Sequence, residues 1–308
     1  MRAAILDLGT NTFNLLIADI KEGHDFHKLF FERIPVKLWE HGITSGQIAP
    51  PAFKWGLQAI FRHHQSVKKN QADQIFAYAT SAIRDASNGL EFLDQVEKKF
   101  NFRPQIISGD REAELIYRGV KLAYPFPLGK TSLIIDIGGG STEFILADNE
   151  KLLWKQSLKL GAARLLERFH PSDPIAAKEI NVVENFFEKE LQSLFKVGSK
   201  YLPEILIGSS GSFDTFADLT RQILPANRYS GEKYFTIPQP AFDRLYRTLL
   251  SSTLQERIKM PGMPEFRAET ITFAAILTQF VLKTLHLKEF IQTFYALKEG
   301  VVWELMNN

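Results

Sequence analysis

The pattern of apolar and polar positions opens with two short apolar runs separated by a polar turn. Residues 3–19, AAILDLGTNTFNLLIAD, read as strand, tight turn, strand, because apolar β-formers flank a Gly/Thr/Asn cluster. Residues 132–148, SLIIDIGGGSTEFILAD, repeat this pattern without a gap at an offset of 129, the separation of Asp7 and Asp136. Five of the 17 paired positions are identical: Ile5/Ile134, Asp7/Asp136, Gly9/Gly138, Ala18/Ala147 and Asp19/Asp148. The repeat predicts a duplicated α/β lobe with a ligand clamped between two equivalent turns.

The remaining periodicity alternates between strand and helix. Residues 52–69 carry apolar residues at helical spacing (Phe53, Leu57, Ile60, Phe61, Val67). Residues 75–80 and 104–108 read as short strands, and 110–123 as an amphipathic helix closed by Pro125 and Pro127. Asp173-Pro174 is expected to start a long helix running to about Lys196, with the Asp as cap and the Pro at the first position. Residues 204–210 read as a strand, 212–223 as the helix after it, 265–286 as one long apolar helix, 290–296 as a last strand and 297–306 as a last helix. This alternation indicates an α/β protein of two lobes, 1–124 and 125–308, with 124–130 as the crossing and 297–308 as a candidate to return to the first lobe.

Composition narrows the chemistry. The 308 residues are 45% hydrophobic, with 37 basic against 35 acidic residues and a formal charge of +2. Nothing suggests bulk electrostatic nucleic-acid binding. There is no cysteine, which excludes disulfides and thiolate metal sites and favours the cytoplasm. Asp7, Asn11 and Asn14 interrupt the apolar N-terminal stretch, so it reads as buried strands and not as a signal peptide. No run of 18 apolar residues is present, so no membrane span is expected.

Three turns carry the candidate chemistry. In Gly138-Gly139-Gly140-Ser141-Thr142 the glycines let backbone amides approach an anion, and the hydroxyls add donors. Gly9-Thr10-Asn11-Thr12 is its counterpart, and Gly208-Ser209-Ser210-Gly211 lies between a strand and a helix N-terminus. Asp7 and Asp136 end first strands just before these turns, and Glu143 begins a return strand. A carboxylate beside phosphate is repulsive unless a cation lies between them, so Asp136, Glu143 and Asp7 are candidate ligands for Mg²⁺ (or Mn²⁺). Asp19 and Asp148 read as loop residues, and His63-His64 as surface histidines. Several other patterns fail on spacing. Gly129-Lys130-Thr131 lacks the first Walker glycine, where Tyr124 stands; Gly138-x-Gly140 lacks a third glycine, where Glu143 stands; Gly208-x-Ser210 lacks the elbow glycine, where Ser212 stands.

These segments resemble the exopolyphosphatase and guanosine pentaphosphate phosphohydrolase family of the actin-like, sugar-kinase-like superfamily. Besides the two turns, the match includes Ala79-Thr80-Ser81-Ala82-Ile83-Arg84, Ile107-Ser108-Gly109-Asp110-Arg111-Glu112-Ala113, Leu158-Lys159-Leu160-Gly161-Ala162 and Ala296-Leu297-Lys298-Glu299-Gly300. The motifs run in family order over nearly the whole chain. The resemblance implies two actin-like (ribonuclease H-like) lobes with mixed sheets and an interlobe cleft. It implies Glu112 as the base that activates water, Asp136 and Glu143 as the cation site, Arg84 as a grip on the phosphate chain and the three turns as phosphate loops. From its position alone Glu112 is one acid of a helix first turn, with Glu114 a rival, and Arg267 is a further candidate phosphate ligand.

The implied activity is release of terminal phosphate from inorganic polyphosphate or guanosine pentaphosphate. Arg111 stands where many relatives carry an acid, and longer relatives continue past the position of Asn308, so preference for substrate length is open. With no dense basic run beyond Lys68-Lys69 and Lys98-Lys99, a monomer is expected to favour short chains, and a homodimer would rebuild a basic track. The alternatives are an ATP-dependent small-molecule kinase of the same superfamily and a non-enzymatic nucleotide-gated binding module. A sugar-kinase-type repressor is disfavoured because Met1 lies directly before the first strand.

Overall fold

The computed structural model describes residues 1–21, 25–40, 42, 46–224 and 233–307. The first sheet comprises β1 (Arg2–Leu8), β2 (Thr12–Lys21), β3 (Asp25–Pro35), β4 (Gln74–Ala79) and β5 (Gln105–Ile106), in the order β3-β2-β1-β4-β5. The second comprises β6 (Ser132–Ile137), β7 (Thr142–Ala147), β8 (Leu152–Leu158), β9 (Ile205–Ser209), β10 (Tyr234–Thr236) and β11 (Glu289–Thr293), in the order β10-β11-β9-β6-β7-β8. In each sheet an antiparallel three-strand meander is joined by a parallel strand beside its first member, β4 on β1 and β9 on β6. The repeat therefore extends two strands beyond each hairpin, to the third strand of the meander and the parallel neighbour. The third strands, β3 and β8, lie at sheet edges, where charged and polar residues replace the continuous apolar signal.

Helices α1 (Pro50–Lys69), α2 (Ser81–Asp85) and α3 (Gly89–Phe100) accompany the first sheet, and α4 (Gly109–Ala123) lies against β7 and β8 of the second. With the second come α5 (Ala162–Phe169), α6 (Ala177–Glu190), α7 (Gln192–Tyr201), α8 (Gly211–Ile223), α9 (Gln239–Ser251), α10 (Leu254–Ile258), α11 (Glu265–Ala268) and α12 (Ile271–Thr284), while α13 (Leu297–Asn307) packs on α4 and on β1 and β2 of the first sheet. Strand alternation sorts side chains between cores. Ala4, Leu6 and Leu8 of β1 join α1 and α3 on one face. Ala3 and Ile5 instead enter a core shared with Ile134, Ile205 and Ile291 of the second sheet, and α4 and α13 complete it. This shared core ties the two sheets together.

Five sequence expectations are corrected. Asp173 caps a different helix: its carboxylate accepts from Leu254 N (2.7 Å) and Arg257 Nη2 (3.0 Å), so it serves α10, while α6 starts at Ala177. The same predicted helix breaks at Leu191, whose side chain is fully buried in a third core with Phe187 and Leu194. The predicted 265–286 helix is two, α11 and α12, because the backbone turns at Glu269–Thr270, where Thr270 N bonds to Arg267 O (3.0 Å). His63 is completely buried between Glu32 Oε2 (3.1 Å) and Phe13 O (3.2 Å), and His64 packs edge-on against Phe100. Asp19 lies within β2, paired with Arg2 (2.8 Å); Asp148 is the loop residue expected.

Candidate active site

Both repeated turns line one cavity of about 690 Å³, a volume that includes its open mouth. Each turn closes with the same hairpin bond: Gly9 N donates to Thr12 O (3.1 Å), and Gly138 N to Ser141 O (3.0 Å). The turns also touch each other. A methyl group on Gly139 would come within 2.9 Å of Thr10 Cγ2 and 3.0 Å of Asn11 Oδ1, and one on Gly140 within 2.9 Å of Thr10 Oγ1. A side chain at either position would have to displace Thr10, Asn11 or Ser81. Behind the second turn, amides of Ala162, Ala163 and Arg164 and the Arg164 guanidinium donate to the carbonyls of Gly138, Gly139 and Gly140. None of these bonds uses the Gly139 or Gly140 amide, the donors an anion needs.

The meanders align two triads of facing residues. In the first, Asp7 faces Asn14, which faces Arg33. In the second, Asp136 faces Glu143, which faces Ser157. Asn14 Nδ2 donates to Asp7 (3.1 Å), and Arg33 Nε donates to Asn14 Oδ1 (3.1 Å). Arg33 also reaches Asp214 of α8 (3.0 Å), which Gln292 holds from its other side (2.9 Å). In the second triad two carboxylates oppose each other, with Ser157 Oγ donating to Glu143 (2.7 Å).

Burial and mutual repulsion shape the ionisation of these acids. Burial pushes the Glu143 carboxyl up to about 6, against hydrogen bonds from Ser157 and Ser141. Asp136 is raised well above the usual range by burial, then by Glu143 and Asp7. Asp7 is raised by burial and partly relieved by the buried Lys298 and by Asn14. Crowded carboxylates of this kind fit a hard divalent cation with oxygen ligands. Among the described residues no group of three His, Cys, Asp or Glu side chains is placed to hold a metal ion.

Glu112 projects into the same cavity from the first turn of α4, whose N-cap Ser108 accepts from Arg111 N (3.1 Å). Arg84 Nη1 holds it at 3.1 Å while also donating to Ile107 O (2.9 Å). Burial, then Glu143, raise the Glu112 carboxyl well above its ordinary value, with Arg84 opposing. Gly109 packs directly on Ser157, which brings the base of α4 against the second meander. The rival Glu114 does not line the cavity; Lys155 pairs with it and lowers its carboxyl.

Of the candidate residues, Gly9, Thr10, Asn11, Thr12, Gly138, Gly139, Gly140, Ser141, Ser210, Gly211 and Arg267 line the cavity with Glu112 and the three acids. Arg267 is buried, its Nε has no partner, and burial followed by Arg33 pushes its guanidinium down to about 10. Ser210 and Gly211 both adopt φ of 52° at the lip. Arg84, Thr142, Gly208 and Ser209 are not lining residues. Arg84 is committed to Glu112, Thr142 Oγ1 donates to Leu160 O (2.9 Å), Gly208 packs on the Phe213 ring, and Ser209 Oγ donates to Tyr295 O (3.1 Å). Sequence reasoning missed Asn14, Arg33, Ser81, Ser157 and Lys298. Asn14 follows Asp7 at the spacing of Glu143 from Asp136, so the repeat itself carried that signal.

Two mixed sheets, each an antiparallel meander joined by a parallel strand, bring their equivalent turns to one cleft and define a duplicated α/β fold. The chain belongs to the Ppx/GppA phosphatase family, whose model matches residues 16–308. An exopolyphosphatase from Cytophaga hutchinsonii has a crystal structure that superposes with a TM-score of 0.95 at 36% identity, over 100% of this chain and 98% of that one. Exopolyphosphatase 1 of Mycobacterium tuberculosis is 26% identical over 307 residues, 98% of this chain and 87% of the relative. The Ppx/GppA family member of Aquifex aeolicus superposes with a TM-score of 0.79 at 25% identity, over 100% and 98%. Among the described residues no helix is long and apolar enough to cross a membrane.

Proposed function

We propose that this chain is an exopolyphosphatase, releasing terminal phosphate from inorganic polyphosphate by metal-assisted attack of water, with guanosine pentaphosphate as a second donor of the same chemistry. The observation that carries the reading is the convergence of Glu112 and the Asp136–Glu143 pair on one cavity walled by both glycine turns. In this scheme Glu112 takes a proton from water as its oxygen bonds to the terminal phosphorus. The anhydride P–O bond breaks, and its electron pair goes to the shortened chain. The carboxyl of a base works best when its pKa lies near the working pH, and the raised Glu112 moves in that direction. Arg84 orients Glu112, while the turn amides, Thr10, Ser141 and Arg267 hold phosphoryl oxygens. A divalent cation held by Asp136 and Glu143, with Asp7 near, would neutralise charge on the phosphoryl group.

The test is phosphate release by the purified chain, supplied in parallel with long polyphosphate, guanosine pentaphosphate, and ATP plus sugars. Release from polyphosphate that stops in chelator and returns with Mg²⁺ or Mn²⁺ is expected. Phosphate transfer to a sugar without release to water would make it a kinase instead.

A further inference from the structure

The cavity wall also includes a residue that follows β4. The chain leaves β4 at Ala79, in register with Leu8 at the end of β1. Thr80 then donates to Leu8 O through both its amide (3.3 Å) and its hydroxyl (3.4 Å). This double tie sets the next residue, Ser81, against the place where the two turns meet: a methyl group on Gly140 would lie 2.5 Å from Ser81 Oγ and 2.9 Å from Thr10 Oγ1. Ser81 is 2% exposed, lines the cavity, and its Oγ has no hydrogen-bond partner. A buried hydroxyl without a partner is disfavoured by the loss of its water, so such a group fits a site where a ligand completes it.

We propose that Ser81 is a phosphoryl ligand, donating its hydroxyl to an oxygen of the terminal phosphate held between Thr10 and the Gly139–Gly140 turn. The ligand class is a tetrahedral phosphate, free or at the end of a chain. This assignment rests on the proposed phosphate-releasing site and adds to it a ligand from just past the end of β4. It also divides the work of the 79–84 segment: Ser81 touches the phosphate, while Arg84 acts through Glu112.

The experiment compares the full chain with Ser81→Ala by calorimetric binding of inorganic phosphate at fixed Mg²⁺, by steady-state hydrolysis of polyphosphate and by thermal melting. A hydrogen bond to a charged ligand predicts roughly 10- to 100-fold weaker phosphate binding. The matching kinetic signature is a rise in KM or a fall in kcat/KM of that order. The melting temperature is expected to hold or rise, since the variant removes an unpartnered buried group; a purely structural role would lower it and leave affinity alone. Hydrolysis by wild type with Ser81→Ala binding phosphate within about twofold of it overturns this inference and leaves the proposed function standing. Phosphate binding that falls in Ser81→Ala, in a chain that hydrolyses no polyphosphate, supports the ligand and removes the function. A wild-type chain that binds no phosphate at millimolar concentration overturns both.

Discussion

The two meanders share strand order, register and hairpin bond, yet their facing triads carry different charge. Asp7–Asn14–Arg33 balances an acid with an amide and a cation, and each group has a partner in place. Asp136–Glu143–Ser157 sets two acids against each other with only a hydroxyl to share. The first triad is complete within the protein, and the second calls for charge from outside. The same scaffold thus carries two charge patterns, and the proposed reading gives the cation to the second. The Glu112 helix packs on the second copy, through Gly109 and Ser157.

Neutralising the equivalent aspartates should separate the copies most strongly. Asp136→Asn is expected to lower kcat/KM for polyphosphate by about 10³-fold, the scale of several kcal/mol of charge stabilisation, and Asp7→Asn by only about tenfold. Equal losses in steady-state assays would erase the distinction. Glu112→Gln comes next, with a fall in kcat of at least about 10²-fold and little change in substrate binding. If Glu114→Gln is the inactive variant and Glu112→Gln is not, the base has been assigned to the wrong acid.

Two exchanges convert one triad toward the other. Asn14→Asp gives the first meander its own acid pair beside a single arginine. It should destabilise the chain by roughly 1–3 kcal/mol in denaturant titration without added cation. Glu143→Gln makes the second an acid–amide pair. In cation-free buffer it should raise stability by about 1 kcal/mol, or roughly 2–4 °C in melting temperature, while activity falls. A Glu143→Gln chain that melts lower would show that the acid pair does not strain the fold.

Much of the lobe architecture was readable because β1, β2, β6 and β7 are buried on both faces, so their apolar runs stand out between polar turns. The third strands were not, since edge residues such as Lys28, Glu32 and Lys155 break the run. That omission hid Arg33 and Ser157, and with them the contrast between the triads. The turns were recognisable from composition, but not the reason for their glycines, which lies in contact between segments 129 residues apart. Glu112 and Glu114 could not be separated from position alone. Their separation depends on which face of α4 meets the cavity and which meets Lys155.

The claim that the second meander holds the cation is tested most directly by calorimetric titration of Mn²⁺ into the wild-type chain, Asp136→Asn and Asp7→Asn. The account predicts a saturable site in wild type, its loss in Asp136→Asn, and its retention within about tenfold in Asp7→Asn. Wild-type affinity in Asp136→Asn, or loss of the site in Asp7→Asn alone, would contradict it.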